Sequence, residues 1–149
     1  MKIIVIFALA FIACTQAVPI SKRSTFEEGF QCLIRVGYNA CAQGKTDADT
    51  AAAAAKESYP ANTLSDGTGD AFRHCYWNAL MTMHISRDAA KKIADLHEEM
   101  NTVGTESQRQ MDLKNNEIGR EVGSQSTIDD EARQKCQEHV ETGYLQLKP

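Results

Sequence analysis

Apolar positions recur along most of the chain at intervals of three and four, the spacing of one face of an α-helix. Phe26, Phe30, Leu33, Ile34, Gly37, Ala40 and Cys41 make the first such run, with Thr25 as its N-cap and Gln43-Gly44-Lys45 as its end. A second helix starts at Thr46 or Asp47, runs through the alanines 51–55 and stops at Tyr59-Pro60. After a turn-rich loop over 62–69, a third helix extends to about His84. Ser86 caps a fourth, whose stripe is Ala89, Ala90, Ile93, Leu96, His97 and Met100. Thr105-Glu106-Ser107-Gln108 is a capping box opening a fifth, and Ser126-Thr127-Ile128-Asp129 resembles another before a sixth. No stretch alternates as a strand would. The expectation is an all-α fold, a compact bundle of about five or six short helices without an internal repeat.

The third helix breaks the simple pattern. Phe72, Tyr76, Ala79, Leu80 and Met83 fall on one side, while Asp70, His74, Trp77, Asn78 and Met81 gather on another. One side is expected to pack and the other to do chemistry. Two further helices carry His97, and Asn115 with Asp112 and Asn116, on inward or neighbouring faces. A buried polar group costs a few kcal/mol unless paired, so converging groups of this kind imply a hydrogen-bond network, a metal or a water-lined pocket.

Asp70 and His74 stand four apart, which lets the carboxylate orient the imidazole and suits His74 to general-base work. Asp112 or Glu98 would act as acid or metal ligand, and Asn78 or Asn116 as polarising donor. Arg73 is expected to pair with Glu98 or Asp112. Glu98 lies off its helix's apolar stripe and is expected in solvent, and His84 and His139 are expected to be peripheral. The candidate catalytic set is therefore His74, Asp70, His97, Asp112 and Asn116, with zinc or calcium as the cofactor to consider. His97-Glu98 is not a His-Glu-x-x-His zinc motif, because Asn101 stands in place of the second His. With no nucleophile elbow in the chain, the attacking group would be water.

Composition adds the compartment. Lys2 followed by the apolar run 3–13 and the small residue Ala17 reads as a secretory signal peptide over 1–17, too short for a membrane span. Residues 18–23 end in Lys22-Arg23, either a propeptide with a dibasic cleavage site or a frayed basic terminus, leaving 24–149 as one helical domain. Cleavage after Arg23 removes three basic residues and no acidic one, taking the formal charge from −4 to −7. So acidic a chain has no basic stripe for a nucleic-acid backbone.

Outside the signal peptide the chain has Cys32, Cys41, Cys75 and Cys136, which in a secreted protein reads as two disulfides. Cys32 and Cys41 on one continuous helix would stand too far apart to bond, unless that helix breaks at Gly37. That leaves Cys32–Cys75 with Cys41–Cys136, or Cys32–Cys136 with Cys41–Cys75.

Gly69-Asp70-Ala71-Phe72-Arg73-His74-x-Tyr76-Trp77-Asn78-Ala79-Leu80-Met81, then His97-Glu98, then Met111-Asp112-Leu113-x-Asn115-Asn116-x-x-Gly119-Arg120 resembles the signature of a small all-helical domain family of unknown function. That family is met in secreted bacterial proteins, at the ends of toxin-like polypeptides and sporadically in eukaryotes. The resemblance implies that the motif's polar residues share one pocket; it supplies no reaction. Two functions follow as expectations: a secreted hydrolase-like effector, as in defence, acting on an extracellular substrate through the His/Asp/Asn pocket, or a non-catalytic secreted binding module whose buried polar groups only hold the fold.

Overall fold

A computed structural model describes residues 20–101 and 104–147, with side chains from Glu27 onward. The signal peptide and residues 18–19 lie outside the described residues. Six helices follow one another: α1 (Ile20–Arg35), α2 (Tyr38–Ser58), α3 (Thr68–His84), α4 (Arg87–Met100), α5 (Glu106–Ser124) and α6 (Asp129–Glu141). A single 3-10 turn, Ala61–Thr63, precedes α3, and no strand occurs among the described residues.

The middle of the chain folds around α3. Every residue from Gly69 to Met81 except Arg73 is buried, because α2, α4, α5 and α6 all pack on this helix. The polar side of α3 is covered by α5 as its apolar side is by the other helices. Close approach makes this cover possible. A Cβ at Gly119 would stand 2.2 Å from the Cys75 carbonyl oxygen, and one at Gly123 2.5 Å from that of Ala79. Two glycines one helical turn apart let the α5 backbone lie directly on α3.

The first helical boundary differs from expectation. Gly37 adopts φ 102°, a conformation that L side chains rarely take, and it ends α1 there. Gly44, expected as a terminator, lies inside α2, where its carbonyl accepts the Trp77 indole N–H at 2.9 Å. The break also corrects the disulfide pairing. Folding back at Gly37 brings the Cys32 and Cys41 Cα atoms to 6.0 Å, and these two bond, while Cys75 bonds Cys136. Neither of the two pairings expected from the sequence occurs, since both assumed an unbroken helix from 25 to 41.

Two caps are as read from sequence. The Ser86 hydroxyl accepts the Ala89 N–H, and Thr105 and Gln108 form a reciprocal capping box. The sixth helix instead starts after Ile128, with Glu131 reaching back to the Thr127 N–H at 2.8 Å.

Candidate functional site

Asp70 and His74 sit on the first two turns of α3, and α5 lays Asp112 and Asn116 against them. The imidazole of His74 is 2 % exposed, and both its nitrogens are engaged. Arg73 Nη2 lies 2.6 Å from His74 Nε2; a guanidinium only donates, so Nε2 accepts and the proton sits on Nδ1. Nδ1–H then donates to Asn116 Oδ1 at 3.1 Å, an oxygen that also accepts from Asn78 Nδ2 at 2.7 Å. Asn116 Nδ2 in turn donates to Glu98 at 3.2 Å, and Arg120 donates to Asn78 Oδ1 at 3.0 Å. Donation thus converges on Asn116 Oδ1 from two sides, from Arg120 by way of Asn78 and from His74 directly, and leaves through Asn116 Nδ2 to Glu98. Burial first, then the positive charges of Arg73 and His97, hold His74 well below the ordinary histidine range, so the ring is neutral.

Three donors converge beside this ring. One atom each from Asp70, His74 and Asp112 lies within 4.8 Å of the others. Arg73 joins Asp70 through Nη2 at 2.6 Å and Nε at 3.1 Å, which places a guanidinium between two of the three. A zinc or calcium ion using these donors would have to displace Arg73. The expected pairing of Arg73 with Glu98 or Asp112 gives way to Asp70, three residues back on the same helix.

Asp112 is the strained member. Its Oδ1 is buried 3.5 Å from His74 Nε2 and makes no hydrogen bond. Burial, then the charges of Glu98 and Asp70, push its pKa up to about 7. The carboxyl lines a cavity of about 270 Å³, together with Asp70, Arg73, His74, His97 and Gln108. The loop before α3 forms the far wall: the Asp66 N–H donates to Asp70 Oδ2 at 2.9 Å, and Gln108 Nε2 donates to Asp66 Oδ1 at 2.7 Å.

His97 stands at the cavity's edge rather than in its interior. Its side chain is 34 % exposed, it bonds Glu28 of α1 at 2.9 Å, and its ring meets Trp77 edge-on at 5.5 Å. The Glu28 hydrogen bond outweighs partial burial and raises its pKa. All five expected residues thus come together, with His97 on the rim.

Asn115 does not join them; it clasps the Gln146 backbone through both amide atoms, at 2.8 and 2.9 Å. Glu98, expected in solvent, is 2 % exposed and belongs to the network, and Arg120 is buried there too. Both were visible in the sequence as members of the motif, in His97-Glu98 and Gly119-Arg120. His84, expected to be peripheral, bridges Asp47 of α2 at 2.8 Å and Asp129 of α6 at 3.0 Å.

Fold and site together define a disulfide-linked helical domain built around an enclosed Asp–His–Asp cluster with an arginine inside it. The chain belongs to the family described as a domain of unknown function (DUF6973), whose family model matches residues 37–144. That span takes in α2 to α6 and every site residue except Glu28 of α1. No curated protein and no solved structure matches the chain.

Proposed function

We propose that this protein is a secreted hydrolase of acyl esters in which Asp112 carries the proton and Arg73 meets the developing negative charge. The observation that carries the reading is the Asp112 carboxyl, which lines the cavity and keeps one buried oxygen without a hydrogen bond. A carboxyl left unpaired beside a neutral imidazole costs stability, and such groups concentrate where chemistry uses them.

Above about pH 7 the Asp112 carboxylate takes a proton from a cavity water as its oxygen bonds to the ester carbonyl carbon. The Arg73 guanidinium stabilises the resulting oxyanion. As the tetrahedral centre collapses, the bond from carbon to the alcohol oxygen breaks, and Asp112 returns the proton to the departing alkoxide. His74 is a positioning residue in this scheme: its Nε2 holds Arg73, and its Nδ1 is fixed by Asn116. The acid–base role expected of His74 passes to Asp112, because the imidazole is enclosed and already engaged at both nitrogens. Asp66, Asp70 and Asp112 around one guanidinium make the cavity inhospitable to a phosphate dianion, which favours a neutral reacting group. The signal-like N-terminus and two disulfides support export.

Turnover of 4-nitrophenyl butyrate by the wild type and by Asp112→Asn tests the reading. The expected result is turnover that falls at least roughly a hundredfold in Asp112→Asn with its far-UV circular dichroism unchanged. No turnover by the wild type, or equal turnover by both, would overturn it in favour of the non-catalytic binding module.

A further inference from the structure

We infer that the ester is that of a long unbranched acyl chain, and that a groove between α1, α2 and α4 receives the chain. The inference rests on the hydrolase reading and names its substrate class. Behind the polar cavity lies a second one of about 370 Å³, within the size range of ligand sites. Its walls are mostly apolar, formed by Gly29, the Cys32–Cys41 disulfide, Ala48, Trp77, Ile93 and Leu96, with Glu28 and Lys45 also on the lining.

Arg73 and His97 line both cavities, so the two meet at these side chains. An amphiphile spanning them places its carbonyl by the Arg73 guanidinium and its hydrocarbon against Trp77 and Leu96. The junction carries charge suited to the head: Arg73 is cationic and His97 is held protonated more readily than an ordinary histidine by Glu28. Past the junction the groove is mostly hydrocarbon, which rewards each further methylene buried there with tighter binding. A polar or branched acyl group gains nothing there.

Two features make the groove testable without turnover. Trp77 is the chain's only tryptophan, so its emission reports the groove directly. Gly29 lines the groove, a Cβ there meets nothing within 4 Å, and the residue is helical, so a larger side chain is accepted at this wall without strain on the backbone.

The experiment titrates the full-length mature protein with 12-bromododecanoate, the acid product of such an ester with a heavy-atom quencher at its tail. Saturable loss of Trp77 emission is expected for the wild type and Gly29→Ala, with affinity weakened roughly tenfold or more in Gly29→Phe and in Gly29→Glu. For 3-bromopropanoate, which reaches Trp77 from the junction but buries almost no hydrocarbon beyond it, half-saturation is expected at a concentration at least roughly a hundredfold higher. Quenching that rises linearly with concentration, or saturates equally in Gly29→Phe and Gly29→Glu, would overturn the inference. Saturable quenching without ester turnover would sink the hydrolase reading and leave the groove; turnover of the butyrate ester without quenching would do the reverse.

Discussion

His74 Nε2 and Asp112 Oδ1 face each other at 3.5 Å without a hydrogen bond, although both are buried. Arg73 explains the gap: it occupies the imidazole's one acceptor and ties it to Asp70 instead. A network evolved for stability alone would be expected to close this pair. The open pair separates two kinds of polar residue in the site, those that hold the fold and one that strains it.

Asn116 belongs to the first kind. Its amide satisfies His74, Asn78 and Glu98 at once. Asn116→Ala leaves those buried groups without partners and is expected to cost about 2–4 kcal/mol, read from the urea midpoint.

Asp112 belongs to the second. An unfolded Asp titrates near 3.9, the folded one at about 7, so the native state binds the extra proton between those values. Stability from this group is complete below about pH 4 and is lost as the pH rises through 7. Asp112→Asn keeps the shape and removes the charge. It is expected to stabilise the protein by about 1–3 kcal/mol at pH 8, measured by denaturant unfolding, while lowering turnover at least roughly a hundredfold.

His84, outside the site, has its pKa raised by its partners rather than by burial. Partial burial is the largest single influence and lowers its pKa, but the hydrogen bonds and charges of Asp47 and Asp129 together raise it above the ordinary value. The protonated ring's contribution is therefore full below about pH 6.5 and disappears as the pH rises through the raised folded value. The difference in Tm between wild type and His84→Gln is expected to be largest at pH 6 and to shrink by pH 9.

At Gly119 the constraint is purely steric. Gly119→Ala would drive a methyl group into the Cys75 carbonyl, on backbone anchored through the Cys75–Cys136 disulfide. A loss of more than about 3 kcal/mol, or failure to fold, is expected. Gly104→Ala, where the nearest neighbouring atoms lie 3.8 Å away, is expected to shift Tm little.

What the sequence disclosed follows a physical divide. Ser86 and Thr105 were legible as caps because a cap is decided within four residues. Gly119 and Gly123 stand four apart, so one turn of helix sets both on one face. Gly37 and Gly44 were not distinguishable: either can end a helix, and the choice depends on Trp77 donating to Gly44 from another helix. The disulfide pairing failed with that boundary. Glu98, named as a candidate acid or ligand, was nevertheless placed in solvent, because its partner Asn116 lies on α5 and periodicity along α4 alone points it outward. His84 was missed likewise, its two carboxylates standing 37 and 45 residues away.

The most direct test of the account is the pH dependence of kcat/KM for 4-nitrophenyl butyrate from pH 5 to 9. The groups around Asp112 are Asp66, Asp70, Arg73, His74, Glu98 and His97, and burial acts on it most strongly. Because kcat/KM reports the free enzyme, the profile is expected to rise through an inflection near pH 7 and to lose that inflection in Asp112→Asn. A profile flat through pH 7, or an inflection that survives in Asp112→Asn, would contradict the assignment of Asp112 as the group that moves the proton.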